Sequence, residues 1–429
     1  MPAPLSLPRP RSVFQALAAS LLLLAALQLL YLWLLPGERP RDPNRRFRAA
    51  QRPLARDSHL DASGRYRLYR DVGGSRLPGR GVQLSLATHT SVHNLYQLPA
   101  LLRRWQAPLA LAVFALAGEV PQALLAVRGL QLYCPGVQDR VTFTLVTPSG
   151  LRLPALPPAR QDGAEEGVPW DPRLDSDTEP EPHPPCQRAL APLHRLRLQH
   201  RNYALGNATY PNNLLRNAAR EALPSQHVLL IDMDMLPSGG LHAHFLDLLS
   251  SRRGASSPQE PPPDRTLYVL PALEIRHSRR VPWDKAELQR LYQVAEVRPF
   301  YSELCPRCQA PTNYSRWINL PAGGPGLRIA YTRLWMDPWE PFYISRSTVP
   351  PFDERFEQYG FNRISQACEL HVAGYTFAVL DNAFLIHKGF KLASEFHPQK
   401  DEENRRNRIL FRQFKQELKS KYPDSPRRC

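Results

Sequence analysis

In the stretch HVLLIDMDMLPSGG, residues 227–240, two aspartates one residue apart follow an apolar run. Aspartate is depleted in strands and rarely buried unpaired, so Asp232 and Asp234 need a cation or a network of donors to offset desolvation. The spacing alone discriminates little, because Asp175 and Asp177 repeat it inside the acidic, proline-rich LDSDTEPEPHPP, where a solvated loop suffices. Position separates the two pairs. The segment PNNLLRNAAREA at 211–222 reads as a helix feeding into the strand VLLI, which places Asp232 and Asp234 at a strand's C-terminal end. Open α/β sheets bind ligands there. Metal or diphosphate chemistry is the favoured reading; the plainer one has the carboxylates capping a turn before Pro237, Ser238 and Gly239.

A further ligand is offered by FLIHKGF at 384–390. Residues 384–386 read as a short strand, and His387 follows at its end beside Lys388 and Gly389. A lone histidine is commonly structural, but one at a strand end next to Lys and Gly fits a diphosphate-metal site. Two carboxylates and an imidazole, with positions left for phosphate oxygens, suit Mn²⁺ or Mg²⁺, and such an ion neutralises a departing nucleotide diphosphate. Nothing in the chain resembles GxxxxGK[ST], or GxGxxG followed by a helix, so phosphate-loop and dinucleotide-binding readings lose their main support.

Positioning these groups takes a sheet. From Gly81 the chain alternates LSLATH (strand), residues 91–105 (helix), LALAVFAL (strand), residues 121–129 (helix) and VTFTLV (strand). That alternation predicts an α/β fold with a largely parallel sheet. A chain of 429 residues accommodates one such domain of about 250–350 residues with appendages. Its 45 prolines cluster in what reads as tail, stem and two surface loops. The predicted organisation is a cytoplasmic tail (1–12), a transmembrane signal anchor (13–35), a stem (36–80) and a single catalytic domain (81–429), with proline-rich surface loops at 154–185 and 252–265. Near the C-terminus, Leu410, Phe414 and Leu418 recur at helical spacing beside Phe411, predicting an amphipathic helix packed on the body.

Residues 13–35 carry no formal charge and are long enough to span a hydrocarbon core of roughly 30 Å. A cleaved signal peptide is the competing reading, with a shorter apolar region of about 7–15 residues. Arginines are denser after the span than before it, which opposes a lumenal body by the positive-inside rule. Two features favour the lumen: sequons at Asn207 and Asn313, and six cysteines, Cys134, Cys186, Cys305, Cys308, Cys368 and Cys429, all beyond the span. Cys305 and Cys308 form the only close pair, and no second pair at ligand spacing suggests zinc, so disulfides are expected. The net charge of +16 raises nucleic acid as a partner. A lumenal protein meets none, and much of the excess is arginine near the chain ends, so solvated segments explain it.

Longer runs carry a resemblance. NYALGNATYPNNLLRNAAREA, IDMDMLPSGGL, LYQVAEVRPFY, CPRCQAPTNYSRWINLP, DPWEPFY, FDERFEQYGFNRISQACELHVAG and HKGF are together similar to the GT49 glycosyltransferases, relatives of the glucuronyl domain of the LARGE enzymes. The match is dense over 202–429 and recognisable back to LATHTSVHNL at 86–95; the anchor, the stem and residues 154–185 depart from it. The resemblance implies a GT-A fold in a single-pass type II Golgi membrane protein with its catalytic domain in the lumen. It also implies Mn²⁺-dependent β-1,4-glucuronyl transfer from UDP-glucuronate to a β-xylose-terminated O-mannosyl glycan of α-dystroglycan, priming extension by LARGE. Asp232 and Asp234 match its DxD motif and His387 its C-terminal metal-binding histidine. These three hold the diphosphate and not the sugar, so a transferase using UDP-N-acetylglucosamine on poly-N-acetyllactosamine is an alternative. A non-catalytic scaffold for a partner glycosyltransferase is another, against which the three intact residues argue.

Inversion of an α-linked donor calls for a carboxylate base to deprotonate the acceptor hydroxyl. Other inverting GT-A enzymes carry an acidic pair after an FDExF-type motif, where this chain has Asn362 and Arg363. Glu340 in DPWEPFY is the first candidate base and Asp353 the second, although Glu340 serves equally to hold its loop and Asp353 to cap a helix or pair with Arg355. A uronate carboxylate is best recognised by a positioned Arg or Lys. Arg363 is the preferred partner, against a helix-surface bridge to Glu357 or Glu369; Lys388 suits the sugar or the diphosphate. Trp317, Trp335 and Trp339 suit sugar stacking, though packing is the commoner fate of tryptophan.

Overall fold

The computed structural model describes residues 57–77, 81–151, 184–199, 202–206, 208–255, 265–322 and 326–429, with a few isolated positions besides. The chain divides into Met1–Arg52 with Leu156–Asp162 and Pro53–Ala155 with Gly163–Cys429, and every element below belongs to the second unit. Its strands are β1 (Asp57–Leu60), β2 (Tyr66–Arg70), β3 (Val82–Ser91), β4 (Leu109–Phe114), β5 (Val141–Pro148), β6 (Ser225–Leu230), β7 (Met235–Pro237), β8 (Thr266–Leu270), β9 (Ala272–Ile275), β10 (Val297–Pro299), β11 (Arg328–Arg333), β12 (Phe342–Arg346), β13 (Thr376–Asp381) and β14 (Leu385–Lys388). Ten form one sheet in the order β1-β2-β5-β4-β3-β6-β12-β8-β13-β11, and four form a second, β10-β9-β14-β7.

The expected α/β architecture is present, but the large sheet is mixed. Parallel pairing runs through β5, β4, β3 and β6 and again between β8 and β13, while β12 lies antiparallel between β6 and β8. The central strands are buried on both faces: β4 is a continuous apolar run, while β3 and β5 alternate apolar residues with buried serines and threonines. The helix Asn212–Ala222 supplies part of the cover, packing Leu214, Leu215, Ala218 and Ala219 with Ala112, Phe114, Val146 and Leu230. The C-terminal helix is Lys400–Lys421; of the predicted stripe it buries Phe414 and Leu418, with Phe411 beside them, while Leu410 is only half-buried.

Three boundaries move. The sheet begins inside the expected stem: β2 pairs with β5 and buries Tyr66, Leu68 and Tyr69, an apolar set within four residues that arginines interrupt and flank. The helix Leu241–Ala255 runs into the loop expected from 252, and the helix Pro184–Gln199 takes the last two residues of the loop expected to end at 185. Among the described residues no helix is long and apolar enough to cross a membrane. The span 13–35 lies almost wholly outside them, as do Asp175, Asp177 and Asn207.

All six cysteines are paired, as Cys134–Cys186, Cys305–Cys308 and Cys368–Cys429. The three tryptophans pack inside. Trp317 donates to the Leu380 carbonyl, Trp335 to that of Trp339, and Trp339 to the Thr312 hydroxyl, so none is free to stack on a sugar.

Candidate active site

The chain visits β3, then β4 and β5 on one side of it, and returns to place β6 on the other, so β3 and β6 flank a topological switch point. Ligand crevices form outside the carboxyl ends of such strands. β6 ends at Leu230, and a tight turn closed by the Met235 amide on the Asp232 carbonyl leads into β7 of the small sheet. Asp232 is thereby left at the large sheet's edge, and Asp234 is delivered to the small one.

Asp232 sits among cations that the sequence reading did not foresee. Arg216, on the helix Asn212–Ala222 and 4% exposed, places Nη2 3.2 Å from Oδ1. Arg363 forms an ion pair with Oδ2 and lays its guanidinium over the Phe342 ring at 4.0 Å. His89, at the end of β3, brings Nε2 to 3.6 Å while its Nδ1 is 2.9 Å from the Tyr210 hydroxyl. Burial opposes ionisation of Asp232, but Arg363, His89 and Arg216 outweigh it and hold the carboxyl well below the usual range. The helix-surface bridges considered for Arg363 do not form: Glu357 pairs with Arg65, and Glu369 with Lys421 and Tyr422.

Asp234 has different company. His387 approaches Oδ2 through Nε2 at 3.2 Å, and Lys391 Nζ lies 3.2 Å from the same oxygen. Burial again disfavours the charge, and Lys391 and His387 override it, lowering the carboxyl. The meeting is built by strand pairing: β14 lies between β7 and β9, with His387 opposite Met235 on one side and Glu274 on the other. His387 is therefore inside its strand, one residue short of the end. Strand alternation turns the neighbouring Lys388 to the opposite face, and the lysine on Asp234 is Lys391 instead.

Among the described residues no three His, Cys, Asp or Glu side chains are arranged to hold an ion. The expected donors split, Asp234 with His387 and Asp232 with the arginines. The pair nonetheless fits a divalent cation. His387 Nδ1 lies 2.7 Å from the Gly389 carbonyl and must carry the proton there. In the neutral ring this turns the Nε2 lone pair toward the Asp234 carboxylate, and two acceptors at such a distance need a proton or cation between them. A backbone carbonyl orienting the far ring nitrogen is the usual support of a metal-ligating histidine.

Glu340 reaches the same edge from the other direction. Since β12 runs antiparallel to β6, its N-terminal end lies at the carboxyl end of β6, and Glu340 is two residues before it. Among the described residues its carboxylate makes no hydrogen bond or ion pair, although its backbone is held on both sides. Burial pushes the group up to about 7, against the pull of Arg363 and Arg216. Asp353, the second candidate, takes the alternative role considered for it and is clamped by Arg355, which also binds Glu417. Tyr301 completes the cluster. Its φ of +58° is unusual for an aromatic residue, and burial, with Glu340, Tyr359 and both aspartates nearby, raises its hydroxyl well above the usual value. Neither Tyr301 nor Arg216 could be found from spacing, because each comes to the site by tertiary packing.

Beside this cluster, past the ends of β3 and β4, lies a groove of about 780 Å³ lined by Val92, His93, Leu116, Glu119, Tyr203 and Leu205 among others. Its apolar walls, with the polar groups of His93, Glu119, Gln122, Asn202 and Tyr203 among them, suit a planar ring with a polar rim.

Residues 83–423 match the family described as glycosyl-transferase for dystroglycan. The chain is 46% identical to beta-1,4-glucuronyltransferase 1 of Danio rerio over 97% of its own length and 98% of that protein's. It is 50% identical to the Homo sapiens protein of the same name over 88% and 84%. Xylosyl- and glucuronyltransferase LARGE1 of Homo sapiens is more distant, 29% identical over 49% of this chain and 26% of that one. A crystal structure of S. aureus TarS overlaps with a TM-score of 0.34 at 10% identity, covering 81% of this chain and 40% of that one, too little to bear on fold or activity. A family match over most of the chain, together with relatives this similar along nearly their full lengths, makes this protein a member of the glycosyltransferase 49 family.

Proposed function

We propose that the chain is an inverting β-1,4-glucuronyltransferase that takes glucuronic acid from UDP-glucuronate and places it on a β-xylose-terminated acceptor, as in the O-mannosyl glycan of α-dystroglycan, ahead of extension by LARGE. The observation that carries this is the meeting, at one sheet edge, of an acceptor pair suited to a cation and an unpartnered carboxyl pushed up to about 7. The similarity to beta-1,4-glucuronyltransferase 1 of two species supports glucuronate as the sugar. Asp234 and His387 would hold Mn²⁺, or Mg²⁺, with Asp232 as a further donor once Arg363 leaves it; the ion would neutralise the departing diphosphate. The groove past β3 and β4 takes the nucleoside. Glu340 accepts the proton of the acceptor hydroxyl, whose oxygen bonds to the anomeric carbon as the bond to UDP breaks, inverting α to β. Arg363 turns to the uronate carboxylate; because Arg216 also neutralises Asp232, that carboxylate keeps a partner when Arg363 is drawn away.

The full disulfide pairing accords with a lumenal domain behind a Golgi-membrane anchor, with glycans on Asn207 and Asn313. The full-length chain, assayed in detergent with a β-xyloside and each UDP-sugar, with and without Mn²⁺, tests the reading. Transfer from UDP-glucuronate that stops with a chelator is expected. Preferred turnover of UDP-N-acetylglucosamine overturns it, and no turnover of either moves the chain to the scaffold reading.

A further inference from the structure

The three disulfides differ in what they join. Cys134–Cys186 and Cys368–Cys429 link residues 52 and 61 apart and tie separate elements together, whereas Cys305–Cys308 links residues three apart in one short loop. Closing so small a loop removes the least freedom from the unfolded chain, so global stability explains it poorly. Its surroundings offer another account. The Cys305 amide donates to the Tyr301 carbonyl at 2.8 Å, and the Cys308 carbonyl accepts the Glu340 amide at 2.8 Å. The next residue, Gln309, donates its side-chain amide to the Glu340 carbonyl at 3.0 Å. Glu340 is thus gripped through its backbone at both ends while its carboxylate has no bonding partner among the described residues.

The far side of the loop is anchored as firmly. The Tyr301 amide donates to Glu274 Oε1 at 2.8 Å, and Glu274 is fully buried. Its other oxygen accepts from Arg298 at 2.8 Å and from the Lys391 amide at 3.2 Å, and Lys391 reaches Asp234. A continuous chain of contacts therefore runs from Asp234 through Lys391, Glu274, Tyr301 and the Cys305–Cys308 loop to Glu340.

From this geometry we infer that the Cys305–Cys308 disulfide is a positioning device for the transfer step, fixing the Glu340 carboxylate relative to the Asp234 half of the site. The inference rests on Glu340 being the base. The disulfide touches no reacting atom; it acts by holding the loop that holds Glu340. A base displaced by an ångström loses rate without loss of donor affinity.

The test compares kcat, affinity for UDP and Tm in the full-length chain with both cysteines changed, Cys305→Ser with Cys308→Ser. The expected result is a fall in kcat of about tenfold or more, with UDP affinity within about twofold and little change in Tm. Unchanged kcat in the folded variant overturns the inference, and so does a parallel loss of UDP affinity and kcat, which marks a general structural role. Gln309→Ala, which keeps the disulfide and removes one grip on Glu340, covers the case in which the double variant fails to fold. A smaller fall in kcat at unchanged UDP affinity supports the inference there, and full activity overturns it. Glu340→Gln, run alongside, keeps the two readings apart: if it retains full activity the base assignment fails, whatever the cysteine variants do.

Discussion

Asp232 and Asp234 stand one residue apart and belong to different regions. Asp232 lies just past the end of a core strand of the large sheet and faces two arginines, one of them almost wholly buried. Asp234 directly precedes the small sheet's β7 and faces His387, about as buried as Arg363, and Lys391, whose side chain is a quarter exposed. Guanidinium stays charged at any working pH and its planar fork holds a carboxylate rigidly, whereas imidazole and ammonium release a carboxylate to a competing cation more readily. The motif thus combines a carboxylate whose charge the fold depends on with one that a ligand can claim.

Substitutions can break this contrast. The largest effect is expected from Asp232→Asn, which leaves Arg216 buried without its counter-charge; breaking such a pair typically costs about 3–5 kcal/mol, so Tm and activity should fall together. Asp234→Asn should abolish transfer while Tm, followed by calorimetry, stays close to that of the parent, because Lys391, a quarter exposed, keeps its charge in contact with water and imidazole can shed its proton, which guanidinium cannot. Equal Tm losses in the two would erase the distinction.

Next in size is Glu340→Gln, expected to reduce kcat by about 10²–10⁴. In the parent, kcat should rise as pH passes through about 7 and then level, since the carboxylate is the active form, and this limb should vanish in the variant. Stability runs the opposite way. A carboxyl raised above its unfolded-state value stabilises the fold while protonated, and that contribution is lost as pH rises through about 7. Denaturation at pH 8 should therefore show Glu340→Gln to be the more stable, and below the ordinary carboxyl range the two should converge.

Arg363→Ala should lower the rate with UDP-glucuronate by about ten- to a hundredfold, the worth of a charge-assisted bond, while Arg216 keeps Asp232 paired and UDP binding holds. Loss of UDP affinity in step would put Arg363 at the phosphates. The smallest effect belongs to Lys388→Ala, expected within about threefold of the parent rate because strand alternation turns it from His387. A loss rivalling that of His387→Ala would show that both strand faces serve the site.

Much of this was legible in the chain. Periodicity located β3, β4, β5 and the helix ahead of β6, and the apolar run ending in Asp232 marked the candidate functional edge, because a strand with both faces covered admits few charged residues and the exceptions stand out. Two short runs, Tyr66–Arg70 and Phe342–Arg346, carry too little pattern to stand out from their arginine- and proline-rich surroundings, which is why the sheet starts before the expected stem boundary and is less parallel than the strand and helix alternation predicts.

The sequence by itself determined the family, the α/β class, the DxD and histidine motifs, and the expectation that the cysteines pair, since each of these rests on residue types at short spacing. Only the tertiary structure decided the partners. Arg216 reaches Asp232 across 16 positions, Lys391 reaches Asp234 across 157, and Glu340 meets them through an antiparallel strand inserted between β6 and β8. Which charges face one another depends on strand order, register and helix packing, and those are settled by burying the apolar core as a whole rather than by any local stretch of chain.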